Sequence, residues 1–515
     1  MEFSQLKSFI AQGYNRIPIT RTVLADRFTA VSAYAKFRQP YTFLLESLQG
    51  GEKWGRYSII GLPCSTLLRV HGDQIHVEIE GVVRETHTKT DPLSFVEEFQ
   101  NRYRAPTLDT LPAFHGGLVG YFGYDCVRYV ETRLKDSAPP DELGCPDILL
   151  MLAEDVLVFD NVASVIHIVT HAQIEDNNHQ GDALESVLNE ADARLDQIEK
   201  TLIDGGASLP DLRVSADSET LQLQESDFVS DFDEQSYGEV VEKIKGYALA
   251  GDIMQVVPSQ RMRTPFKADP LSLYRTVRHL NPSPYMYFLD LEEFQIVGSS
   301  PEILARKEDG EVTVRPIAGT RRRGHSQEED IALERELLDD PKEIAEHLML
   351  IDLGRNDVGR VAETGSVVVT DQMIVERYSH VMHIVSNVIG QIDPSMSSID
   401  VLKATLPAGT LSGAPKVRAM EIIDEVEPVK RGVYGGAVGY IGWSDNMDTA
   451  IAIRTAVIKN ETLYVQAGGG VVADSIPRLE WKETMNKARA MLRAASLAEQ
   501  AQVSDKDGCD KGVTS

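Results

Sequence analysis

The sequence predicts an α+β protein in which two antiparallel β-sheets pack against each other and helices flank them. Two observations favour this class. In the first third of the chain, runs such as LLRVHG and IHVEIEG alternate apolar and polar residues between short turns, a pattern typical of antiparallel strands. In the second half, the strand-like runs YGGAVGYIGW, TAIAIRTAVI and TLYVQAGGG follow one another and lead into a long helical stretch.

The elements in chain order divide the protein into four parts. Residues 1–170 form a β-rich region that opens with two helices around a short extended piece, and residues 171–235 form an acidic linker with one amphipathic helix. Residues 236–500 form the second folded region, and residues 501–515 form a polar, disordered tail. Because the first region consists mainly of strands, we expect it to share a core with the second region.

Several local patterns predict individual elements. ILLMLAEDVLVFD is predicted to pair with SVIHIVTHA as a hairpin, and TAIAIRTAVI to form one continuous strand. Ser326 and Glu329 have the spacing of a capping box, which predicts one long helix that ends near Asn356. The last helix is predicted to run from about Arg478 to about Gln500.

The composition argues against several classes of partner and location. The 515 residues are 42% apolar and 25% charged, and the formal net charge of −28 argues against nucleic acid or an anionic membrane as a partner. The four cysteines form no CxxC pair, no apolar run approaches the length of a membrane span, and the first residues lack the apolar core of a signal peptide. We therefore expect a cytoplasmic protein.

The stretch QAGGGVVADSIPRLEWKETMNK holds the strongest local signal for a ligand site. It opens with three glycines, whose N–H groups a ligand can approach closely, as in an anion nest. They are Gly468, Gly469 and Gly470. On the helix that follows, Glu480, Glu483 and Lys487 share one face, which suggests a metal-bridged carboxylate or phosphate ligand. A surface helix with routine charge pairs behind a flexible loop is the alternative.

A second pair of carboxylates strengthens the metal hypothesis. Glu343 and Glu346 repeat the i, i+3 spacing of Glu480 and Glu483 on another helix. Two helices that each present such a pair can hold a hard divalent cation, and Mg²⁺ best suits a site of carboxylate oxygens. No Cys/His cluster in the sequence indicates zinc. Ordinary surface charge on two helices is the alternative.

Four further residues belong to types that acid–base or anion chemistry uses. Arg454 is a lone cation in an apolar run and needs an anionic partner, either a structural carboxylate or a ligand. Tyr434, beside two glycines, could share a ligand carboxylate. Glu302 follows a strand at a turn, where a general acid could lie. His383 lies on an apolar run, where a histidine is more often a core residue than a catalytic one.

A series of motifs runs through almost the whole chain. They are LLES (44–47), GRYSIIG (55–61), GGLVGYFGYD (116–125), GDIMQVVPSQR (251–261), NPSPYMYF (281–288), GSSPE (298–302), RPIAGT (315–320), AEHLMLIDLGRND (345–357), PAGTLSGAPK (407–416), YGGAVGYIGW, IAIRTAV, QAGGGVVADSIP and EWKETMNKA. Together they resemble the chorismate-utilising enzymes and leave out only the linker and the tail. The resemblance implies the chorismate-binding fold, with residues 236–500 as the catalytic domain.

The resemblance also implies an activity and a metal. Chorismate, a dianion, would be bound with Mg²⁺; ammonia would add at ring carbon C2 as the C4 hydroxyl leaves, and elimination of pyruvate would give anthranilate. In the family pattern Glu346 and Glu483 would hold the ion, with Glu343 and Glu480 beside them, either directly or through water. Lys487 would add positive charge near the metal-side carboxylate.

The remaining implied roles concern the substrate. One substrate carboxylate would lie on the metal and on the amides of the three glycines, and Tyr434 and Arg454 would take the enolpyruvyl carboxylate. Glu302 would protonate the departing hydroxyl, and His383 would assist the elimination. Two hydroxyls would hydrogen-bond in the pocket. They belong to Thr320 and Thr410.

Other activities and other classes of protein fit the sequence less well. Ala318 argues against aminodeoxychorismate synthase, whose pattern has lysine there, and Gln255 argues against isochorismate and salicylate synthases, which place a water-activating lysine there. A glutamine cannot act as a base, and ammonia needs no deprotonation. An amino-acid-binding regulator would lack Glu302, Arg454 or the carboxylate pairs. A two-metal hydrolase would need His or Asp ligands beyond the four glutamates.

Two further partners follow from the resemblance. The chain has no GxCxG nucleophile turn, so that ammonia is either free or supplied by a separate glutamine amidotransferase subunit. In the family the LLES segment binds the end product L-tryptophan as an inhibitor. The residues implied here are Glu46, Ser47, Pro284, Tyr285, Met286, Val438 and Tyr440. Glu46 would pair with the α-ammonium, and Lys53 or Arg56 would meet the carboxylate. A simple turn cap by Glu46 and Ser47 is the alternative.

Overall fold

The computed structural model of the chain describes residues 3–48, 55–175, 182–206, 209–210, 212, 228–378 and 381–509. The helices are α1 (Phe3–Ala11), α2 (Ala30–Phe37), α3 (Pro92–Gln100), α4 (Asp182–Asp204), α5 (Glu234–Leu249), α6 (Pro270–Leu280), α7 (Gln327–Asp339), α8 (Pro341–Gly359), α9 (Ser398–Thr405), α10 (Gly409–Ser412), α11 (Lys416–Val426) and α12 (Pro477–Cys509). None of those within the described residues offers an apolar stretch long enough to cross a membrane.

The strands are, in chain order, β1 (Arg16–Leu24), β2 (Thr42–Glu46), β3 (Tyr57–Gly61), β4 (Thr66–His71), β5 (Gln74–Ile79), β6 (Val82–Thr88), β7 (Gly117–Phe122), β8 (Ile148–Ala153), β9 (Val156–Asp160), β10 (Val165–Gln173), β11 (Val229–Ser230), β12 (Gln255–Val256), β13 (Ser259–Pro265), β14 (Tyr285–Asp290), β15 (Phe294–Ser300), β16 (Ile303–Glu308), β17 (Glu311–Val314), β18 (Ile317–Arg322), β19 (Val368–Arg377), β20 (Val381–Gln391), β21 (Gly413–Ala414), β22 (Ala437–Gly442), β23 (Met447–Ile451), β24 (Thr455–Lys459) and β25 (Thr462–Gly468).

In the described residues these strands form two large antiparallel sheets and a ribbon of β12 with β21. Sheet A has the order β1-β10-β9-β3-β2-β14-β15-β24-β25-β13-β11, and sheet B has the order β18-β20-β17-β16-β23-β22-β7-β8-β4-β5-β6, with β19 also paired to β20. The predicted fold class is confirmed. Strands from both halves of the chain are neighbours in each sheet, since β2 pairs with β14 and β7 with β22. The boundaries near residues 170, 235 and 500 stay a prediction.

Apolar clusters define the layers. Between the sheets, Phe43, Tyr287 and Ile296 of sheet A belong to one cluster with Val119 and Met151 of sheet B. The other face of sheet A packs on α2, α4, α5, α6 and α12, and the other face of sheet B packs on α3, α8 and α9. Central strands therefore carry apolar residues on both faces, as in β8, which is buried along its whole length.

Two runs predicted as single strands are each divided between the sheets. ILLMLAEDVLVFD contains β8 of sheet B and β9 of sheet A, and it is β9 that pairs with β10 in the predicted hairpin. TAIAIRTAVI contains β23 of sheet B and β24 of sheet A, and the chain turns at Arg454, whose φ is +49°. The prediction of continuous strands was wrong because an apolar run buried on both faces does not reveal a crossing between sheets.

The long helix predicted to end near Asn356 is in fact two helices. Pro341 begins α8, where a residue without an N–H fits the first turn, and Asp340 caps it. Ser326 caps α7 by accepting from the N–H of Glu329, as predicted. The Glu329 carboxylate, however, accepts from the N–H of His325 and not from the N–H of Ser326. The second hydrogen bond of the predicted capping box was therefore wrong.

The linker helix and the last helix were predicted with different success. The amphipathic helix expected in 171–235 is α4, which packs on sheet A. The last helix begins at Pro477 and continues to Cys509, beyond the predicted end near Gln500. Residues 510–515 of the predicted tail, like residues 213–227 of the acidic passage, lie outside the described ranges.

Candidate active site

Two crossings between the sheets lie side by side and bring Glu302 and Arg454 together. β15 continues into β16 through Pro301 and Glu302, and β23 continues into β24 through a turn that holds Arg454. Because β15 pairs with β24 and β16 with β23, the crossings are adjacent. The N–H of Ser299 donates to the Arg454 carbonyl at 3.1 Å, and the N–H of Ile451 donates to the Glu302 carbonyl at 3.0 Å.

The Glu302 carboxyl can hold a proton near neutral pH. The residue is 7% exposed, and Thr410 Oγ1 on α10 donates to its Oε1 at 3.0 Å. Burial raises the pKa of Glu302 to about 8, an effect that the Thr410 hydrogen bond and the charges of Arg454 and Lys487 oppose only in part. At pH 7 the group is therefore mostly protonated and is suited to act as a general acid.

Arg454 is a cation with no side-chain partner among the described residues. No ion pair or hydrogen bond joins its guanidinium to another side chain in the part of the chain that the structure describes. Desolvation lowers the pKa of the guanidinium, and the Glu302 carboxyl opposes this. A desolvated cation of this kind needs an anion, and a ligand carboxylate would supply one.

Tyr434 lies in a turn next to the crossing that holds Arg454. It lies in the turn before β22, where the N–H of Gly435 donates to the carbonyl of Ala452, two residues before Arg454, at 3.0 Å. The ring is buried, and its hydroxyl lies beside Gly468, where an added Cβ would be 3.2 Å from the hydroxyl oxygen. The backbone hydrogen bond of Gly435 places the turn that holds Tyr434 beside the turn that holds Arg454.

His383 faces Thr320 across β20 and β18. A bulge at Gly319, with φ of +68°, points that carbonyl at the ring: His383 Nδ1 lies 3.1 Å from Gly319 O and 3.0 Å from Thr320 Oγ1. A carbonyl oxygen can only accept, so Nδ1 carries the proton and Nε2 keeps its lone pair. Burial lowers the pKa of His383 to about 4, which leaves the ring neutral at pH 7 and able to accept a proton at Nε2.

The four predicted metal-site glutamates differ in their surroundings. Burial raises the pKa of Glu346, and the nearby charges of Glu343 and Glu483 add to the effect. Burial also raises the pKa of Glu480, and Glu483 again adds to it. The carboxylate of Glu343 is held by Arg321 Nη1 at 3.2 Å. Glu346, Glu480 and Glu483 therefore form a group of neighbouring carboxylates, whereas Glu343 is paired with Arg321.

These glutamates fit Mg²⁺ in chemistry but do not form a closed cluster. Within the described ranges, no three His, Cys, Asp or Glu side chains are placed to hold a metal ion. Glu483 Oε1 pairs with Lys487 Nζ at 2.8 Å, and the same ammonium donates to Gly468 O at 3.0 Å. Carboxylate oxygens are what Mg²⁺ prefers, and a cation would relieve the repulsion that raises the pKa of Glu346. Binding at Glu483 Oε1 would require this oxygen to exchange Lys487 for the ion.

The glycine loop approaches these groups closely, although part of the predicted anion nest is already used. A Cβ on Gly469 would lie 3.4 Å from Glu480 Oε2, and a Cβ on Gly470 would lie 2.1 Å from Gln255 Nε2, so side chains there would crowd the site. The N–H of Gly469 donates to the Pro258 carbonyl at 3.3 Å. This amide is therefore engaged within the protein and is not free to bind an anion.

Gln255 presents an unused acceptor at the same place. Its Nε2 lies 3.5 Å from Glu346 Oε1, whereas its Oε1 is buried without a hydrogen-bond partner among the described residues. A buried acceptor in this state costs about 1–3 kcal/mol. A small ligand that carries N–H groups would remove this cost.

A separate cavity of about 330 Å³ is lined by every residue implied for tryptophan. They are Glu46, Ser47, Pro284, Tyr285, Met286, Val438 and Tyr440. Arg56 also lines the cavity and bonds to Asp160 at 2.7 Å, while Lys53 lies outside the described residues. The tryptophan-binding role of these residues stays a prediction.

The charges around this cavity differ from those expected. The Glu46 carboxylate accepts from Arg278 Nε at 3.0 Å, so it already has a cation on the helix face of sheet A. Asp448 lines the cavity and accepts from the Tyr285 hydroxyl at 2.9 Å and from Arg306 Nε at 3.1 Å. Sequence reasoning missed the cations of Arg278 and Arg306. The only signal for Arg278 was that a carboxylate ending a buried strand needs a partner.

Known proteins share this fold and show the family of the chain. The family model for chorismate binding enzymes matches residues 43–493. The chain therefore belongs to the chorismate-binding enzymes. A protein of Pseudomonas aeruginosa named anthranilate synthase component 1 is 60% identical over 492 residues, which cover 95% of this chain and 98% of that protein. One of the same name from Neisseria meningitidis is 54% identical, with coverages of 95% and 97%.

Solved structures share the fold of this chain. Anthranilate synthase component I from Streptococcus pneumoniae has a TM-score of 0.74 at 36% identity and covers 91% of this chain and 98% of its own. The menaquinone-specific isochorismate synthase of Escherichia coli has a TM-score of 0.67 at 18% identity, with coverages of 96% and 98%, and shares the fold. Within the family, this chain groups with the proteins named anthranilate synthase component 1.

Proposed function

We propose that the protein is a lyase that converts chorismate and ammonia into anthranilate, pyruvate and water. The observation that supports this most is that Glu302, a buried acid, and Arg454, a cation with no side-chain partner among the described residues, lie at adjacent crossings between the sheets. The acid suits a leaving hydroxyl and the cation suits a carboxylate, and chorismate carries both groups. High identity to anthranilate synthase component 1 proteins supports the same reaction.

The first half of the reaction is an amination. Glu302 would give its proton to the C4 hydroxyl, which leaves as water, while ammonia forms a bond to C2 and the ring double bonds shift. The added nitrogen then loses one proton to become an amine. Tyr434 and Arg454 would hold the enolpyruvyl carboxylate during this step, and Thr410 would orient the Glu302 carboxyl.

The second half is an elimination. His383 Nε2 would take the proton from C2, the bond between C3 and the enolpyruvyl oxygen would break, and the ring would become aromatic. The released enolate takes up one proton to become pyruvate, so that one chorismate and one ammonia give one anthranilate, one pyruvate and one water. The hydrogen bond from Nδ1 to Gly319 O supports the base role, because it keeps the lone pair on Nε2.

Two residues support ammonia over water as the nucleophile. Gln255 cannot remove a proton from water, and its unpartnered Oε1 can accept a hydrogen bond from ammonia. Ala318, on β18 two residues before Thr320, offers no amine that could attack in place of ammonia. Isochorismate formation and aminodeoxychorismate formation are therefore less well supported.

We also propose Mg²⁺ as the cofactor, with Glu346 and Glu483 as its ligands and Glu480 beside them. When bound, the ion would supply positive charge to a substrate carboxylate. Arg454 and Lys487 would add to it, which accounts for binding of a dianion by a protein of net charge −28. Since Glu343 is held by Arg321, its part would be indirect, through water.

Three partner and location proposals complete the function. Ammonia would come from glutamine through a separate amidotransferase subunit, because "component 1" in the relatives' names implies a second component. L-Tryptophan would inhibit by occupying the 330 Å³ cavity. A cytoplasmic location is supported by Cys64, Cys126 and Cys145, which are buried and unpaired.

The test is direct. Purified protein with chorismate, Mg²⁺ and an ammonium salt should form anthranilate, which is followed by its fluorescence, and a chelator should stop the reaction. Glu302→Gln should abolish product formation, whereas Glu190→Gln, the same change on the exposed face of α4, should leave it unchanged. Chorismate that is not consumed, or is converted only to isochorismate, would overturn the proposal.

A further inference from the structure

We propose that Tyr378 is a positioning residue for the elimination step, which it serves by fixing the ring of His383 beside Arg454. This inference rests on the proposed function. Neither the sequence motifs nor the roles described above assign Tyr378 a task. It directly follows β19, the strand that pairs with β20.

Tyr378 contacts the imidazole directly. The two ring centroids are 5.5 Å apart and the planes meet at 63°, an edge-to-face arrangement. Tyr378 also lies within electrostatic range of Arg454, since both it and Glu302 oppose the lowering of the Arg454 pKa by desolvation. Tyr378 therefore contacts the base for the C2 proton and lies within electrostatic range of the cation for the enolpyruvyl carboxylate.

Tyr378 is itself held in place at three points. Its hydroxyl donates to Glu376 Oε2 at 2.9 Å, and Glu376 is paired with Arg315. Its carbonyl accepts from Arg323 Nη1 at 2.7 Å, and its N–H donates to the Val381 carbonyl at 2.8 Å. A tyrosine whose side-chain hydroxyl and backbone carbonyl and N–H are all hydrogen-bonded can hold a neighbouring ring in place.

His383 needs such support because its hydrogen bonds fix only one edge. Gly319 O and Thr320 Oγ1 both lie at Nδ1, which leaves the tilt of the ring, and thus the direction of the Nε2 lone pair, to packing. Proton transfer requires that lone pair within hydrogen-bond reach of the C2 proton. The acid Glu302 is held separately by Thr410, so loosening the imidazole should slow elimination without slowing amination.

The experiment measures partition between products. Wild-type protein, Tyr378→Ala, Tyr378→Phe and His383→Ala react with chorismate, Mg²⁺ and ammonium, and chromatography gives the ratio of aminated, pyruvate-bearing intermediate to anthranilate. Tyr378→Ala should raise this ratio at least about tenfold, since misplacing a catalytic group by about 1 Å can cost far more. Tyr378→Phe keeps the ring and should stay within about threefold of wild type. His383→Ala marks the upper limit.

The ratio counts only molecules that have turned over, so a smaller folded fraction does not change it. Tyr247→Ala is the matched control, because that tyrosine donates to Glu425 on the surface and lies outside the site. If Tyr378→Ala does not fold, Tyr378→Leu takes its place. A wild-type ratio in the Ala or Leu variant would overturn the inference, as would a Phe variant as impaired as the Ala variant. Wild-type protein that forms no anthranilate would count against the proposed function instead.

Discussion

The carboxyl of Glu302 titrates in a range that kinetics can reach, because burial raises its pKa to about 8 while Thr410 Oγ1 donates to it. A group that acts in its protonated form should lose activity as the pH rises through its pKa, so kcat/KM for chorismate should fall above about pH 8. The Thr410 hydrogen bond stabilises the carboxylate. Thr410→Val should therefore raise the Glu302 pKa and move this fall to higher pH.

The measurement is the ratio of kcat/KM for Thr410→Val to that for wild type, taken from about pH 6 to about pH 10. Titration of ammonia cancels in this ratio, since both proteins meet the same free ammonia at each pH. We expect the ratio to increase across the alkaline half of the range. A ratio that stays flat or falls would remove Glu302 from the role of acid.

The carboxylates at the other side of the site give a second prediction. Glu346→Gln and Glu483→Gln should each lower activity at least about hundredfold, because each removes a charge that would anchor Mg²⁺. Neither change should lower the unfolding temperature, since burial beside like charge raises the Glu346 pKa and Glu483 is half-exposed. Activity over a Mg²⁺ titration, with thermal unfolding in parallel, checks both parts. Near wild-type rates in either variant, with Glu190→Gln as control, would reject the assignment.

Among elements, three strands of sheet B connect the cavity with the active site. β16 starts beside Glu302 and ends among cavity residues, β23 runs from Asp448 in the cavity toward Arg454, and β22 starts near Tyr434 and carries Val438 into the cavity wall. A ligand that separates these strands at the cavity end would shift both crossings at the other end. Coupling of this kind is typically worth about 1–3 kcal/mol.

Tryptophan should therefore inhibit, and bulk added inside the cavity should relieve inhibition while leaving catalysis unchanged. Ser47→Leu should raise the tryptophan concentration for half-inhibition at least about tenfold, a loss of about 1.4 kcal/mol in binding. Inhibition curves at saturating chorismate give this value, and Ser186→Leu, on the exposed face of α4, is the control. Wild-type protein indifferent to millimolar tryptophan, or a Ser47→Leu variant inhibited as before, would contradict the link.

The sequence predicted the types of the elements better than the way they are connected. Alternation and capping residues predicted most strands and helices, and the recognised motifs brought Glu302, Arg454, Tyr434 and His383 into one hypothesis. In the fold, Arg454 lies within electrostatic range of Glu302 and of His383. The sequence could not reveal that Arg454 lies where the chain passes from one sheet to the other, because an apolar run buried on both faces reads as one continuous strand. Pairings between distant segments, such as Glu343 with Arg321, depend on topology and leave no local pattern.

At the scale of the whole molecule, the two halves of the chain are interleaved. β14 depends on β2 for one of its two neighbours, and β22 depends on β7 for one of its own. The cluster between the sheets draws on both halves, as Phe43 and Tyr287 show. Removing the first half would expose that apolar surface and leave strand edges unpaired in the middle of each sheet.

The fragment 228–509 should therefore not fold by itself, although it contains every proposed catalytic residue. We expect it to be insoluble or to unfold without a cooperative transition, whereas the full chain should unfold cooperatively. Circular dichroism and calorimetry on the two proteins check this. A fragment that melts cooperatively and aminates chorismate would contradict the shared core.

The central claim is that this site adds ammonia, and not water, to chorismate and completes the elimination. The most direct measurement supplies the purified protein with chorismate, Mg²⁺ and ¹⁵N-ammonium, without glutamine, and analyses the products by mass spectrometry. The account predicts anthranilate in which every molecule carries ¹⁵N, with one pyruvate released for each. Isochorismate as the main product, or an aromatic product without the label, would contradict it.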